Sequence, residues 1–355
     1  MDCRRATVQI MDLASAAAQF APSGCYLNTA TVGLPTRDAL DALAHDQSRW
    51  ARGQLDPMEY DQQIDRARQA YAQLVGATSS RVGIIGQVSL ATGVAATAIR
   101  PGDQVVVAEE DFTSVLFPFL QRKADGVVVR PVPLCGLLDA VTPQTTMIAV
   151  SAVQSADGRV INLDDVARVA HDNDCLTYVD VTQAASWLRI GADRFSITAC
   201  GAYKWLCSPR GTGFMTVDPA AAERFTPVAA GWYAGDDVWS SIYGPPLRLA
   251  HDGRRFDTSP AWSGWVGALP TLELLAAVGS DAIGAHDVAL ANRFRAGMQL
   301  PPSDSAIVSL DRDGAGQVLA EAGVQCAGRG GRTRVGFHLY NTAEDTDHAL
   351  DALTS

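Results

Sequence analysis

The chain has 355 residues, enough for one large and one smaller domain at roughly 100–200 residues per domain. Hydrophobic residues make up 47% and charged residues 19%, a composition that supports a buried core and excludes global disorder. The formal net charge is −11, from 28 Lys and Arg against 39 Asp and Glu. This charge argues against a nucleic-acid partner and against docking on a membrane, because both need a basic surface.

Targeting, disulfide and metal signals are also absent from the sequence. No window of about 18 apolar residues predicts a membrane span, and Met1–Arg5 lead into no apolar run typical of a secretory signal. The seven cysteines form no CxxC pair and the six histidines have no HExxH spacing, so no disulfide framework and no metal site are predicted. We expect a cytoplasmic protein, since a reducing compartment suits free thiols.

The middle of the chain alternates short apolar runs with amphipathic segments. A helix is predicted over 163–172, with Asn162 as its N-cap. The predicted strands lie at 104–108, 126–132, 146–150, 176–180 and 213–217. This alternation predicts βα units and a parallel sheet covered on both faces.

The pattern changes towards the C-terminus. The elements predicted there are helices at 272–278, 287–298 and 343–353, a strand at 334–339 and a loop at 301–304. Asn341 and Thr342 are candidate caps of the helix at 343–353. We therefore expect a large α/β domain over residues 21–253, and a smaller α+β domain that combines residues 1–20 with 254–355.

Two segments carry the residue types from which catalytic sites are built. The strand at 176–180 ends in Asp180, with Gln183 three residues later, and ligands of parallel sheets bind at the carboxyl ends of strands. Lys204 lies between Tyr203 and Trp205, ahead of a glycine-rich turn, and a desolvated lysine has a lowered pKa that suits nucleophilic chemistry. Taken singly, Asp180 is equally well explained as a helix N-cap, and Lys204 is better explained as a surface lysine.

Together the two segments point to one cofactor. Pyridoxal phosphate (PLP) needs a lysine for its Schiff base and a carboxylate at its pyridinium nitrogen, which keeps that nitrogen protonated. Lys204 and Asp180 supply this pair if they converge on one cleft, and Gln183 is then placed to bond the phenolic oxygen.

At this point the sequence resembles a family. The segments YVDVTQ (178–183), GAYKWLCSPRGTGF (201–214) and RVGFHLYNT (334–342) are similar to the class V aminotransferase group of fold type I PLP enzymes. This group includes cysteine desulfurases, kynureninases, isopenicillin-epimerase-like proteins and C–S lyases. The resemblance runs from Tyr26 to the last helix, and it implies a large domain with a mainly parallel seven-stranded sheet, a smaller α+β C-terminal domain, and a homodimer. Its motifs are specific for the superfamily and not for a reaction.

The resemblance assigns cofactor contacts residue by residue. Lys204 takes the place of the Schiff-base lysine, Asp180 that of the pyridinium partner and Gln183 that of the amide at the phenolic oxygen. Phe112 stands where relatives stack a His or an aromatic residue on the ring, although it also reads as a core phenylalanine. The implied phosphate contacts are Gln87, Val88, Ser89 and Tyr203 and, from the neighbouring subunit, Ser259 or Thr258.

The same resemblance implies a substrate site. Arg334 matches the arginine that binds the α-carboxylate of an amino-acid substrate, because a guanidinium fork holds both oxygens at once. Asn28 is placed to line the entrance, although it also reads as a turn residue. Ser155 stands where many relatives have an Asn that helps to hold the carboxylate.

Two departures from the family pattern bear on the reaction. Residues 318–321 contain no cysteine where desulfurases carry a mobile one, and Cys326 lies on a short connection. Phe112 replaces a stacked histidine, so an acid or base at that position is lost. We therefore favour a C–S β-lyase that acts on a cysteine S-conjugate, in secondary metabolism, over a persulfide-forming desulfurase. An aminotransferase is the alternative, followed by an epimerase or a PLP-fold protein without catalysis.

Overall fold

The computed structural model describes residues 11–355. Its helices are α1 (Leu13–Ala17), α2 (Arg37–Ala51), α3 (Glu59–Val75), α4 (Val88–Ala96), α5 (Thr113–Gln121), α6 (Leu163–Asp172), α7 (Trp262–Val278), α8 (Ser280–Gly297), α9 (Ala315–Glu321) and α10 (Ala343–Thr354). Its strands are β1 (Val82–Ile85), β2 (Gln104–Ala108), β3 (Val128–Val132), β4 (Thr145–Ser151), β5 (Leu176–Asp180), β6 (Ile197–Gly201), β7 (Gly213–Val217), β8 (Ile307–Leu310), β9 (Ala327–Arg329) and β10 (Arg332–Gly336).

Seven strands form the main sheet, in the order β1-β7-β6-β5-β4-β2-β3. β7 runs antiparallel to both of its neighbours, β1 and β6, whereas the pairs among β6, β5, β4, β2 and β3 are parallel. The prediction of a mainly parallel seven-stranded sheet is confirmed. The parallel strands end along one edge of the sheet, where ligands bind in folds of this kind.

Apolar side chains cover both faces of this sheet. Every residue of β5, β6 and β7 is buried, which is typical of strands that have helices on both sides. One face packs against α3, α6 and α7, and the other face packs against α4 and α5. The strands that hold the candidate site are therefore fixed from both sides.

A second, smaller sheet lies near the C-terminus. Its three strands are antiparallel in the order β8-β10-β9 and pack against α8, α9 and α10 around a separate core. Tyr26 and Asn28 form isolated bridges to Gln325 and Gly336, so the chain near the N-terminus joins this part of the fold. The division into a large domain (21–253) and a small domain (1–20 with 254–355) stays a prediction. Residues 1–10 of the small domain lie outside the described residues, and they include Met1–Arg5, where no secretory signal was predicted.

Several predicted elements have the predicted bounds, while others differ for physical reasons. The strands at 104–108, 176–180 and 213–217 and the helix at 163–172 are confirmed, as is the Asn162 cap, which accepts from Asp164 N–H and Asp165 N–H. β3 begins at Val128 rather than 126, because Gly126 adopts a left-handed φ of 87°. α7 begins at Trp262 rather than 272, since Pro270 lies inside a buried helix instead of ending one.

No single helix among residues 11–355 is long and apolar enough to cross a bilayer. One pair, α7 with α8, meets the length and composition requirement together, but the two helices are bent by 86°.

Candidate active site

A cavity of about 240 Å³ opens where the parallel strands end. The loop after β1 contributes residues 86–89 to its wall, and the segment from β6 to β7 contributes Tyr203 and Lys204. Nine of the residues that the sequence singled out line the cavity, namely Gln87, Val88, Ser89, Phe112, Ser155, Asp180, Gln183, Tyr203 and Lys204. The prediction that Asp180 and Lys204 converge on one cleft agrees with this geometry.

Asp180 is a buried carboxylate at the end of β5. Its side chain is only 6% exposed, and Thr182 N–H donates to its Oδ1 over 2.8 Å. Burial raises the pKa of Asp180 to about 6, with Asp111 adding to the rise, while Thr182 and the Lys204 charge oppose it. A carboxylate so placed is stabilised by any cationic ring nitrogen that enters the cavity.

Lys204 is the only buried lysine of the described residues. The chain contains two lysines, and the other, Lys123, is exposed. The Lys204 Nζ lies 5.5 Å from the centre of the Phe112 ring and 5.6 Å from that of Tyr203. Burial lowers the pKa of Lys204 to about 8, and the nearby Asp180 charge opposes that shift. The amine is therefore deprotonated at a smaller cost than an exposed lysine and suits carbonyl chemistry.

Gln183 has a fixed amide orientation. Its Oε1 accepts from Trp205 Nε1–H over 2.7 Å, while its Nε2 donates to Ser155 Oγ over 3.1 Å and to the Ala30 carbonyl over 3.0 Å. The donor end of the amide thus faces the cavity wall, because Ser155 lines the cavity. A donor in this position suits a negatively charged oxygen.

The loop before α4 has the features of an anion site. The N-cap Gln87 makes no side-chain capping bond, and residues Gly86–Ser89 line the cavity. A helix of nine residues begins here, so its first N–H groups and its dipole favour a bound phosphate. Arg210 brings a positive charge to the same cavity, with its guanidinium 5.0 Å from the centre of the Tyr203 ring.

Arg334 is a buried guanidinium behind the cavity wall. It is 1% exposed and donates to Ser155 Oγ over 3.2 Å, to the Ser155 carbonyl, and to Thr31 Oγ1 over 2.8 Å. Its Nε is buried without a partner in the described structure. Burial lowers the pKa of Arg334 to about 10, with the positive charge of Arg329 adding to the effect. A buried cation with an unpaired donor is a suitable site for a carboxylate.

Besides Arg334, three of the predicted site residues lie outside the cavity wall, namely Thr258, Ser259 and Asn28. Thr258 N–H donates to the Ile84 carbonyl over 3.1 Å, and Ser259 next to it is exposed. The buried pair Arg68–Asp257, 2.9 Å apart, fixes this segment against β1. Asn28 also lies outside the wall, and its Oδ1 is buried without a partner among the described residues.

Several residues that sequence reasoning did not assign also shape the site. Asp111 is buried and accepts from Ser151 N–H over 2.7 Å and from Phe112 N–H over 2.7 Å, so it holds the loop that carries Phe112. Burial raises the pKa of Asp111, while the bonds from Ser151 oppose the rise. Thr31 bonds Arg334 although it lies about 300 residues from it in the chain. The position of Asp111 just after β2 could have indicated its role in the site, but no local signal in the sequence indicates Thr31.

Comparison with known proteins identifies the family. The family described as Aminotransferase class-V matches residues 44–316, which is more than half of the chain. The chain is 26% identical to the uncharacterized aminotransferase YcbU of Bacillus subtilis (strain 168), over 90% of this chain and 89% of that protein. It is 24% identical to isopenicillin N epimerase of Streptomyces clavuligerus, over 94% and 96% of the two chains.

The fold is also that of a solved PLP enzyme. The structure of the cystine C–S lyase C-DES in complex with cysteine persulfide aligns with a TM-score of 0.83 and 19% identity, over 93% of this chain and 97% of the other. A variant of C-DES, solved with glycine covalently linked to its PLP cofactor, aligns with a TM-score of 0.84 at 19% identity, over 95% and 98%. The protein belongs to the class V aminotransferase family and is a PLP-dependent enzyme of fold type I.

The residues of this chain fit that cofactor. The cavity holds a buried amine, a buried carboxylate, an amide donor and an uncapped helix start. Asp180 and Lys204 make no hydrogen bond and no ion pair within 4.0 Å of each other, so neither group is occupied by the other. The prediction of PLP as cofactor is confirmed at the level of the family.

Proposed function

We propose that this enzyme is a C–S β-lyase that cleaves a cysteine S-conjugate, with the uptake of one water molecule, to pyruvate, ammonia and a free thiol. The observation that carries the proposal is the composition of the cavity wall, in which none of the described residues is a cysteine. A site with the PLP residues but without a thiol has no group to accept sulfur from the substrate. The sulfur then leaves as a thiol, which is the outcome of elimination.

The cysteines of the small sheet region support this reading. α9 spans the segment in which desulfurases carry a mobile cysteine, and Ala315 and Leu319 anchor it in the core. Cys326 is half-buried beside β9, and burial raises the pKa of its thiol. A thiolate is the nucleophile in persulfide chemistry, so this cysteine is poorly suited to that role.

The proposed roles follow from the geometry of each side chain. When bound, PLP supplies an aldehyde for an amine and a ring that accepts the electrons of the broken Cα–H bond. Asp180 would hold the ring nitrogen and keep it protonated. Gln183 would donate from Nε2 to the phenolic oxygen in place of its bond to Ser155 Oγ, and the N–H groups of residues 87–89 would bind the phosphate with Tyr203.

Lys204 and Arg334 would carry out the substrate steps. Arg334 would bind the α-carboxylate and so orient the Cα–H bond, with Ser155 beside it. The Lys204 amine, released from the cofactor by the substrate, would take the α-proton, because its lowered pKa of about 8 leaves part of it neutral near physiological pH. Phe112 would cover the ring and exclude water from it.

The active unit is proposed to be a homodimer with isologous contacts. In this arrangement Ser259, or Thr258 beside it, would reach the phosphate bound by the neighbouring subunit. This is supported by the exposure of Ser259 and by the buried Arg68–Asp257 pair that holds the segment in place. A cytoplasmic location and a role in secondary metabolism remain predictions.

Transamination is the second candidate function. It is favoured by the similarity to YcbU, whose name describes an aminotransferase. Here Lys204 would return the proton to the cofactor instead of allowing a leaving group to depart. Epimerisation, the reaction in the name of the Streptomyces relative, would return the proton to Cα. Small differences in activation free energy decide between these reactions, since about 1.4 kcal/mol changes a rate tenfold.

A product assay distinguishes these reactions. The purified, PLP-loaded protein is incubated with cysteine S-conjugates, and pyruvate, ammonia and thiol are measured with and without an added 2-oxo acid. The lyase predicts the three products in equal amounts without the oxo acid. Turnover that requires the oxo acid would assign an aminotransferase, and a change of optical rotation without pyruvate would assign an epimerase.

A further inference from the structure

Two arginines meet on one hydroxyl at the edge of the candidate active site. Arg334 donates to Thr31 Oγ1 over 2.8 Å, and Arg329 donates to the same oxygen over 3.3 Å. Arg334 lies in β10 and Arg329 at the end of β9, and the two strands pair directly. The two guanidinium groups are therefore close neighbours that are held by the small sheet.

Among the described residues, neither of these arginines has a counter-charge. Among residues 11–355, no carboxylate lies within 4.0 Å of either guanidinium. By contrast, Arg332 in the same hairpin is paired with Asp311 over 3.0 Å. The chain carries an excess of eleven negative charges, so two adjacent unpaired arginines are not explained by a shortage of acids. Like charges repel at this distance, and an anionic ligand would relieve that repulsion.

Arg329 is also coupled to the catalytic machinery. Burial is the main cause that lowers the pKa of Lys204, and the charges of Arg334 and Arg329 add to it. Arg329 is exposed and does not itself line the cavity, and the Thr31 hydroxyl that it shares with Arg334 places it beside that residue. Its Nη1 donates to the Gly328 carbonyl over 2.7 Å, which leaves other N–H groups of its fork for a ligand.

We propose that Arg329 is a second anion-binding group, which selects amino-acid substrates with an anionic group on the side chain. The inference rests on the proposed function, in which Arg334 binds the α-carboxylate. The distal carboxylate, or another acid group on the sulfur substituent, then binds Arg329. The preferred substrates are cysteine S-conjugates with an acidic S-substituent rather than neutral or basic ones.

The test uses a matched pair of ligands that cannot react. 3-(Carboxymethylthio)propanoate lacks an amino group, and its distal monoamide has the same shape without the second charge. Binding of both to the PLP-loaded protein is measured by isothermal titration calorimetry at low ionic strength. We expect the diacid to bind about tenfold more tightly, a difference of about 1.4 kcal/mol that is typical of a charge-assisted hydrogen bond.

Two variants then locate the effect. Arg329→Gln is expected to abolish the preference for the diacid by weakening its binding while leaving the monoamide unchanged. Arg332→Gln removes an arginine from the same hairpin and is expected to retain the preference, since its partner is Asp311. The parallel activity assay compares S-carboxymethyl-L-cysteine with S-carbamoylmethyl-L-cysteine and is expected to show the same order.

The outcomes separate this inference from the proposed function. Equal binding of the two ligands by the wild-type protein would overturn the inference even if the enzyme is a lyase. If Arg329→Gln binds both the diacid and the monoamide more weakly, the inference is also overturned, because Arg329 and Arg334 would then bind the same carboxylate. Failure to cleave any conjugate would overturn the lyase, but the binding comparison requires no turnover and still reports on Arg329.

Discussion

Trp205 determines which end of the Gln183 amide faces the cavity. The indole Nε1–H donates to Gln183 Oε1 over 2.7 Å, so the amide nitrogen must point to the other side. The carbonyl of Trp205 accepts in turn from Ser186 Oγ over 3.0 Å and bonds His338 Nε2 over 2.9 Å. His338 Nδ1 accepts from Leu339 N–H over 2.7 Å, which places the histidine proton on Nε2. The residue after Lys204 is thus held at both ends by buried hydrogen bonds.

This relationship predicts a spectroscopic effect of Trp205→Phe. Without the indole N–H, Gln183 Oε1 is left buried without a donor, at a cost of about 1–3 kcal/mol in the free energy of unfolding. The amide then keeps only its Nε2 bonds to Ala30 and Ser155, and the absorption band of bound PLP should shift because the donor to its phenolic oxygen is held less firmly.

Trp187→Phe is the matched control for that variant. Trp187 Nε1–H donates to the Gln183 backbone carbonyl over 2.8 Å, so its loss removes a similar bond without releasing the amide. We expect a comparable loss of stability but an unchanged PLP band. If both variants shift the band equally, Trp205 has only a structural role.

The second prediction concerns where PLP is attached. Because the chain has only two lysines, borohydride reduction of the PLP-loaded protein should label a single tryptic peptide, the one that contains Lys204. Lys123→Ala should retain the label and the yellow colour, whereas Lys204→Ala should lose the covalent link. Mass spectrometry of the reduced digest makes the measurement, and a label on Lys123 or on the terminal amine would contradict the assignment.

The sequence predicted the parts of the site that are local in the chain, and it missed those that depend on the tertiary fold. Asp180 and Lys204 stand in short motifs beside strands, so their chemistry could be recognised before their convergence was known. Thr31 is an ordinary residue of a loop, and only the fold brings its hydroxyl to Arg334. The helix predicted at 272–278 begins ten residues earlier, at Trp262, because the buried side chains around Pro270 continue α7 through the proline. The bounds of β5 and α6 were predicted because each has a terminal signal, Asp180 at the end of β5 and the N-cap Asn162 immediately before α6.

The third prediction is that Asp180→Asn stabilises the apoprotein in a pH-dependent manner. Burial raises the pKa of Asp180 to about 6 from its ordinary 3.8. The contribution of Asp180 to the free energy of unfolding is therefore fully present below pH 3.8 and is lost as the pH rises through about 6. Above that pH the buried charge costs up to about 3 kcal/mol, and asparagine avoids this cost.

Urea unfolding of the two apoproteins at pH 5 and pH 8 measures this difference. We expect the advantage of Asp180→Asn to grow from pH 5 to pH 8, while PLP-dependent activity is lost because the ring nitrogen has no carboxylate partner. Asp41→Asn, at an exposed position of α2, should change stability by less than about 0.5 kcal/mol at both values. An advantage that is the same at both pH values would show that Asp180 does not titrate in this range.

The last prediction concerns the close approach of two backbone segments behind Lys204. Gly33 N–H donates to the Tyr203 carbonyl over 2.9 Å, and a Cβ at Gly33 would lie 2.0 Å from the Lys204 carbonyl oxygen. Such a distance is impossible without a backbone shift, so Gly33→Ala must displace either its own loop or the lysine segment. Overpacking of this kind costs typically about 1–3 kcal/mol, and the displaced amine should bind PLP more weakly.

Gly93→Ala is the control for Gly33→Ala, because the same substitution is expected to stabilise the protein at this position. Gly93 lies inside α4, and a Cβ there would meet nothing within 4 Å, so the substitution should stabilise the protein by about 0.5–1 kcal/mol through helix propensity. Thermal unfolding and PLP titration of both variants make the comparison. Gly33→Ala should lose stability and PLP affinity together, because the collision lies at Lys204 itself. A Gly33→Ala protein with normal PLP affinity would show that the Gly33 loop moves and that the lysine keeps its place.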